Sequence, residues 1–253
     1  MLLHYKELGK GQPLIILHGL FGSSDNWQTH AKKFSSYFRV ILIDQRNHGH
    51  SEWDEEFNYA ILANDLEKLI THLCIETFYL LGHSMGGKTA MYYSQKFTHR
   101  VTKLIIVDIG IKKYPMHHQQ IIEGINRLQL NLYKTRSEVE HVLLPYIDSF
   151  GTRQFILKNL YWEDKGKLAW RMNVKVLEQQ MEEILREIPY QEVWTQSLFI
   201  RGDQSNYILN EDWEEIERYF PDSNLVTIQN AGHWVHAEQI AEFSQKVIEF
   251  LIR

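Results

Sequence analysis

The 253-residue sequence predicts an α/β fold, with a mostly parallel central sheet flanked by helices. Short runs of Val, Ile and Leu alternate with longer amphipathic segments, and this alternation is typical of βαβ units. The short runs are predominantly apolar, which indicates strands buried on both faces. They are PLIIL at 13–17, RVILI at 39–43, FYLLG at 78–82, KLIIVD at 103–108, SLFIR at 197–201 and NLVTI at 224–228.

Helices are predicted where apolar residues recur at a spacing of three and four. The segment 58–73 shows this spacing between two predicted strands, and the segment 237–251 shows it after the last one. The N-terminal LLHYKEL alternates weakly, and we expect it to add an antiparallel hairpin at the edge of the sheet.

Residues 111–190 interrupt the alternation, because helical periodicity continues there without a recognisable strand. We predict a helical cap over this segment, inserted after the sixth strand, and a core domain formed by 1–110 and 191–253. The cap holds 12 Lys and Arg against 10 Asp and Glu, so it is about +2, whereas the remaining chain, with 15 against 22, is about −7. This difference in net charge is consistent with an anionic substrate, although charged residues on solvated helix faces are the more common reason for it.

Composition limits the function classes. A chain that is 44% hydrophobic and 23% charged is typical of a globular protein, and its net charge of −5 argues against a nucleic-acid surface. No apolar run approaches the roughly 18 residues of a membrane span. The single cysteine, Cys74, cannot form an internal disulfide, and the N-terminus lacks the features of a secretory signal, so a cytoplasmic location is expected. Nothing in the sequence indicates a particular oligomeric state.

The segment LLGHSMGGKTAM carries the strongest functional signal. A predicted strand ends at Leu81, and Gly82-x-Ser84-x-Gly86 leads directly into a helix. This arrangement predicts a nucleophile elbow, in which a serine is exposed on a tight strand-to-helix turn. Glycine is needed on both sides because a Cβ would collide with the neighbouring strand or helix. The helix that follows directs free N–H groups towards the serine, so the Met85 N–H is the first candidate donor to an oxyanion.

A second oxyanion donor is expected from the loop after the strand PLIIL, where the sequence continues as HGLFGSSDNW. In this kind of site an N–H from that loop completes the oxyanion hole. We assign the donor to the Leu20 N–H, with the Phe21 N–H as the alternative, since loop geometry is not fixed by sequence to one residue.

A serine nucleophile needs a histidine base, and the sequence contains 13 histidines. His233 follows the final predicted strand and precedes the final helix, where the chain order Ser, acid, His places the base. His236 lies nearer the helix, and His83 should point away from the nucleophile on the tight turn. His48 and His50 lie in a loop. The His pairs have no further ligands at a recognisable spacing, so we predict no metal.

The acid has two candidates. Most enzymes with a nucleophile elbow carry it as G-x-x-D after the penultimate strand, but this chain has Ser205 at that position, three residues after Gly202. Asp203 lies two residues too early. Asp108 ends the strand KLIIVD, and a carboxylate at the carboxyl end of a parallel strand is well placed to face the site. We favour Asp108 and keep Asp203 as the alternative.

These motifs together resemble the α/β-hydrolase superfamily, and within it the YbfF-type esterases. The segments that carry the resemblance are HGLFGSSDNW, DQRNHGHS, GHSMGGKTAM, VDIG and AGHWVHAE, which span 18–240. The resemblance implies hydrolysis of acyl esters or of acyl thioesters such as acyl-CoA. It also implies an acid after the sixth strand, which supports Asp108.

The sequence therefore predicts a serine hydrolase with the triad Ser84, His233 and Asp108, and with an oxyanion hole at Met85 and Leu20. The expected substrate is a small acyl ester or thioester, the intermediate is an acyl-enzyme, and no cofactor is required. Two alternatives remain open at this stage. Carbon–carbon hydrolases and lyases can use the same residues on this fold, and some binding modules keep the fold without turnover.

Overall fold

The computed structural model describes residues 1–116, 118–164 and 166–253, and within these ranges it contains nine strands. Positions 117 and 165 of the predicted cap lie outside the described residues. The strands are β1 (Tyr5–Leu8), β2 (Pro13–Leu17), β3 (Arg39–Ile43), β4 (Phe78–His83), β5 (Val101–Val107), β6 (Leu160–Asp164), β7 (Lys167–Trp170), β8 (Gln196–Gly202) and β9 (Ser223–Ile228).

Eleven α-helices accompany the strands within the described ranges. They are α1 (Gln28–Phe34), α2 (Tyr59–His72), α3 (Met85–Lys96), α4 (Gln119–Asn126), α5 (Arg136–Leu143), α6 (Phe150–Leu157), α7 (Val174–Gln179), α8 (Met181–Leu185), α9 (Trp213–Tyr219), α10 (Val235–Glu238) and α11 (Ile240–Ile252). Short 3₁₀ turns occur at Ser24–Trp27, Leu130–Leu132 and Asn210–Asp212.

The central sheet has the strand order β1-β3-β2-β4-β5-β8-β9, and every neighbouring pair is parallel except β1 with β3. The strands between its two edges are buried on both faces. In β2, Ile15 and Leu17 pack into one hydrophobic cluster and Leu14 and Ile16 into the other, so alternate residues enter opposite layers. The prediction of a mostly parallel sheet flanked by helices is confirmed.

The expectation of an N-terminal hairpin is wrong. The segment contributes the single strand β1, which pairs antiparallel with β3 rather than with a neighbour in sequence. The weak alternation of LLHYKEL covers four residues of strand, which is too few for a hairpin. Within the described residues β5 is therefore the fifth strand of the chain, and the predicted cap follows the fifth strand and not the sixth.

The segment between β5 and β8 contains the five helices α4–α8, but the expectation that it lacks strands is also wrong. Strands β6 and β7 pair antiparallel, from Leu160 with Trp170 to Asp164 with Lys167. Gly166 adopts φ +80° beside the turn, a conformation that favours glycine. Strands of five and four residues are too short to stand out against the helical periodicity around them. The boundaries of the cap, 111 and 190, stay a prediction.

The parallel strands bring their carboxyl ends to one edge of the sheet, and ligands of open α/β sheets bind at this edge. The loops that follow β2, β4, β5, β8 and β9 meet there, and helices of the inserted segment cover them. Among the described residues no helix combines the length and the apolar character that crossing a membrane requires.

Candidate active site

Ser84 lies on the tight turn between β4 and α3, with φ 52° and ψ −121°. A non-glycine residue at positive φ is strained, and such strain concentrates at functional sites. The glycines around it provide the space that the sequence predicts. A Cβ on Gly82 would lie 2.2 Å from the Gly86 carbonyl oxygen, and one on Gly86 would lie 2.5 Å from the His18 carbonyl oxygen. The close approach of β2, β4 and α3 thus requires both glycines.

Asp108 follows β5 and pairs with His233, which lies after β9. His233 Nδ1 lies 2.8 Å from Asp108 Oδ2, and the carboxylate is fully buried while the imidazole is 22% exposed. Because an ionised carboxylate accepts hydrogen bonds without donating any, the imidazole donates through Nδ1–H and keeps Nε2 as a base. Burial raises the pKa of the Asp108 carboxyl to about 7, although hydrogen bonds from Ser205 and Gly202 act in the opposite direction.

The loop after β8 supports this carboxylate. The Ser205 hydroxyl donates to Asp108 Oδ2, and the Gly202 N–H donates to Asp108 Oδ1 at 3.2 Å. The carboxylate of Asp203 has a different partner, since its Oδ1 accepts the N–H of Ala231 at 3.1 Å. The residue in the usual acid position therefore serves Asp108 as a hydrogen-bond donor, and the alternative acid holds the loop that leads to the base.

Among the backbone N–H groups around Ser84, those of Met85 and Leu20 have no hydrogen-bond acceptor within the described ranges. Met85 is the first residue of α3, where the helix leaves its N–H groups unpaired. The Phe21 N–H, in contrast, donates to His48 Nε2 at 3.2 Å. This bond occupies the Phe21 N–H, so the geometry favours Leu20 over Phe21 as the second oxyanion donor.

Ser84 and His233 line the same cavity of about 210 Å³. Its walls are mostly apolar and come from the loop after β2, from helices α4 and α6, and from the residue after His233. The apolar side chains are Leu20, Phe21, Ile121, Phe155, Ile156 and Trp234. A cavity of this size and character suits a short acyl chain.

A cluster of buried histidines lies behind the base. His83 Nε2–H donates to the His233 carbonyl at 2.9 Å, and the His236 ring stacks on Trp27 with the centroids 4.3 Å apart. Burial lowers the pKa of His83 to about 3 and holds the pKa of His236 well below its usual range. Both rings are therefore neutral at physiological pH. The His83 ring packs against the His233 ring, with the centroids 4.8 Å apart, and against the His236 ring, with the centroids 4.6 Å apart.

The remaining loop histidines have structural partners as well. His48 Nδ1–H donates to the Arg46 carbonyl, and His50 Nδ1 accepts from Arg171 at 3.1 Å. Across the described ranges no group of three or more His, Cys, Asp or Glu side chains is arranged to hold a metal ion.

The structure brings together Ser84, Met85, Leu20, His233 and Asp108, as the sequence predicts, although their roles stay predictions. Sequence reasoning missed two contacts of the site. Ser205 is noticeable in the sequence because it replaces the usual acid, but its bond to Asp108 is visible only in three dimensions. Tyr207 stacks on the His233 ring, with the centroids 3.8 Å apart and the planes 15° from parallel. No motif in the sequence marks Tyr207.

A parallel sheet of this order, with a strained serine between strand and helix and a buried carboxylate on a histidine, defines an α/β-hydrolase. The chain belongs to the alpha/beta hydrolase fold family, whose model matches residues 12–239. The predicted class of protein is confirmed at this level.

Particular relatives narrow the family further. Esterase YbfF of Escherichia coli (strain K12) is 34% identical over 90% of this chain and 88% of its own length. The sn-1-specific diacylglycerol lipase ABHD11 of Xenopus tropicalis is 34% identical over 98% of this chain and 80% of its own length. A solved structure described as a marine microorganism esterase is 40% identical, covers 98% of this chain and 99% of its own, and superposes with a TM-score of 0.95. The resemblance to YbfF-type esterases is thus confirmed, and the relatives support a hydrolase.

Proposed function

We propose that the protein is a serine hydrolase that cleaves carboxylic esters or acyl thioesters through Ser84, His233 and Asp108. The observation that carries the proposal is the 2.8 Å contact between His233 Nδ1 and the buried Asp108 carboxylate, at the rim of the cavity that Ser84 lines. An imidazole held in this way is the base that a serine hydroxyl needs. The esterase and lipase relatives support the same reaction class.

Acylation is the first half of the reaction. His233 Nε2 takes the hydroxyl proton of Ser84 as the oxygen attacks the acyl carbonyl, and the carbonyl oxygen gains the negative charge. The N–H groups of Met85 and Leu20 stabilise this oxyanion. Asp108 stabilises the imidazolium, which then gives its proton to the departing alcohol or thiol. The bond from the acyl carbon to the leaving oxygen or sulfur breaks, and the acyl group stays on Ser84.

Deacylation repeats these steps with water. His233 removes a proton from a water molecule, whose oxygen attacks the acyl carbon and regenerates the oxyanion. Collapse of this intermediate breaks the bond to the Ser84 oxygen, which recovers its proton from the imidazolium. The carboxylic acid leaves, and every proton transfer is carried by His233.

The substrate class is inferred from the cavity. Phe155, Ile156 and Trp234 form an apolar wall that suits the hydrocarbon part of an acyl group. An alcohol and a thiol leave by the same protonation step, so both esters and thioesters fit this mechanism. The names of two relatives, an esterase and a diacylglycerol lipase, support acyl substrates. The cytoplasmic location expected from the sequence remains a prediction.

The test is the turnover of a panel of aryl esters and acyl-CoA thioesters of increasing chain length by wild type and Ser84→Ala. We expect a loss of roughly 10⁶-fold in kcat, the scale seen when the nucleophile of a triad is removed. Ser94→Ala is the matched control, because this buried serine lies on the same helix and its hydroxyl only bonds the Ala90 carbonyl at 2.9 Å. Near wild-type turnover by Ser84→Ala would contradict the proposal. A wild type that binds acyl compounds without cleaving them would favour a binding module instead.

A further inference from the structure

The loop after β2 contains a turn in an unfavourable conformation. The Gly22 N–H donates to the Gly19 carbonyl at 3.0 Å, which closes a four-residue turn with Leu20 and Phe21 at its centre. Phe21 adopts φ +58° at the third position of this turn, where glycine or asparagine is usual. A bulky residue with positive φ is a genuine outlier, and it persists only where the surroundings hold it.

His48 holds the N–H side of Phe21. Its Nδ1 lies 2.9 Å from the Arg46 carbonyl, so Nδ1 carries the proton and Nε2 accepts the Phe21 N–H at 3.2 Å. Burial lowers the pKa of His48 to about 3, which keeps the ring neutral and able to accept this bond. His48 belongs to the core loop after β3.

Asn159 holds the carbonyl side of Phe21. Its Nδ2 lies 2.7 Å from the Phe21 carbonyl oxygen and 3.2 Å from the Ile156 carbonyl oxygen. Two carbonyl neighbours require the amide nitrogen at this position, because an amide oxygen cannot donate to them. Asn159 is 3% exposed and lies between α6 and β6, so this hydrogen bond joins the inserted segment to the core loop.

These two bonds fix the peptide units on both sides of Phe21, and with them the turn that contains Leu20. Leu20 lines the cavity beside Ser84, and its N–H has no acceptor within the described residues. An oxyanion donor acts only if it is held in place before the charge develops. Rotation of the turn towards an ordinary φ for Phe21 would move the peptide that carries the Leu20 N–H.

We propose that Asn159 is a positioning residue for the oxyanion hole, through which the inserted segment holds the Phe21 carbonyl and so fixes the turn that presents the Leu20 N–H. The inference rests on the proposed serine hydrolase function. It assigns to the inserted segment a part in stabilising the transition state, in addition to forming the walls of the cavity.

The experiment compares Asn159→Ala and Asn159→Leu with the matched control Tyr59→Phe. The Tyr59 hydroxyl donates to the Ile184 carbonyl at 2.6 Å, so this control also removes one buried hydrogen bond between the core and the inserted segment, away from the turn. Asn159→Leu retains the side-chain volume and provides a folded variant if Asn159→Ala is unstable. The concentration of active protein is fixed by titration with a fluorophosphonate.

Two quantities are measured for each variant: kcat and KM with a short aryl ester, and the inhibition constant of an alkyl trifluoromethyl ketone. The ketone adds to a serine and forms a tetrahedral oxyanion, so it reports on the oxyanion hole. Since loss of a whole donor costs about 10² to 10³ in kcat, a displaced donor should cost roughly 10- to 100-fold. We expect the Asn159 variants to lose this factor in kcat and in ketone affinity, with KM within threefold. Tyr59→Phe should stay within twofold throughout.

If the wild type cleaves the ester, three results would overturn this inference and leave the proposed function intact. They are Asn159 variants with wild-type kcat and ketone affinity, a change confined to KM, and an equal loss of kcat in Tyr59→Phe. A wild type with no ester turnover would overturn the proposed function and this inference together, so the two failures are distinguishable.

Discussion

The core and the inserted segment build opposite sides of the same cavity, and they do so with different kinds of backbone. In the core, Phe21, Ser84 and Asp108 follow the ends of β2, β4 and β5, and all three adopt positive φ values. In the inserted segment, Ile121 and Phe155 reach the cavity from regular helices. In the proposed reaction, strained residues at strand ends place the reacting groups, whereas helical side chains provide an apolar surface. Changes in the core should therefore act on kcat and changes in the insertion on KM, with Asn159 as the exception.

After the loss of the nucleophile in Ser84→Ala, the largest effect is expected from Asp108→Asn, which leaves the shape of the site intact and removes the acceptor for His233 Nδ1–H. The imidazole then loses the partner that fixes its tautomer, and kcat should fall by about 10⁴-fold. Asp203→Asn is the control, because Asp203 bonds the Ala231 N–H and not the base. Steady-state kinetics of both variants measure the effect. A large loss in Asp203→Asn with little loss in Asp108→Asn would reverse the assignment of the acid.

An intermediate effect is expected from Phe155→Ala, which removes an apolar wall contributed by α6. Phe155 lines the cavity and contacts the Trp234 ring, with the centroids 5.5 Å apart. Partial loss of the burial of an aromatic side chain should raise KM for acyl esters roughly tenfold, and kcat should change less. The control is Phe150→Ala on the same helix, since Phe150 is 64% exposed and should leave both constants unchanged. A fall in kcat with constant KM would break the proposed division between core and insertion.

The smallest effect is expected from Ser205→Ala, which should shift the pH dependence of kcat/KM. The proposed mechanism uses Asp108 in its ionised form, and burial raises its pKa to about 7, so kcat/KM should fall as the pH falls through about 7. The Ser205 hydroxyl stabilises the ionised form, so its removal raises the pKa of Asp108 and moves the acid limb to higher pH. A hydrogen bond to a charged group contributes about 1.5–3 kcal/mol, and 1.36 kcal/mol corresponds to one pKa unit, so a shift of about one to two units is expected.

The charged and titratable groups that face Asp108 also influence the pH dependence of kcat/KM. His233 and His83 are close to it, Arg201 lowers its pKa, and the buried hydroxyls of Tyr114 and Tyr207 stay protonated because their pKa values are raised. Ser205→Thr keeps the hydroxyl and should restore the wild-type limb. An unchanged profile in Ser205→Ala would show that this hydroxyl does not tune the acid.

Local backbone requirements explain what could be predicted from the sequence. The elbow at Ser84 needs glycine at fixed positions, and buried parallel strands need continuous apolar runs, so both leave patterns within a few residues. The preference for Asp108 rests on its place at the end of a predicted parallel strand and on the resemblance to YbfF-type esterases. The elbow and the buried strands are therefore each determined by residues that are neighbours in the sequence.

The features that could not be predicted depend on contacts between distant segments. Asn159 meets Phe21 across 138 residues of sequence, and Ser205 meets Asp108 across 97. Neither contact imposes a spacing or a periodicity on the chain. The hairpin of β6 and β7 was missed for a related reason, and β1 was wrongly expected to be a hairpin. Each of these strands is short and is defined by its pairing partner rather than by a strong pattern of its own.

The most direct test of the account is the site at which a fluorophosphonate modifies the protein. If Ser84 is the activated nucleophile, intact-mass spectrometry should show a single phosphonyl adduct per chain, and peptide mapping should place it on Ser84. Labelling should be lost in Ser84→Ala and strongly slowed in Asp108→Asn, while Ser94→Ala should label as wild type does. An adduct on another residue, or full labelling of Ser84→Ala, would contradict the account.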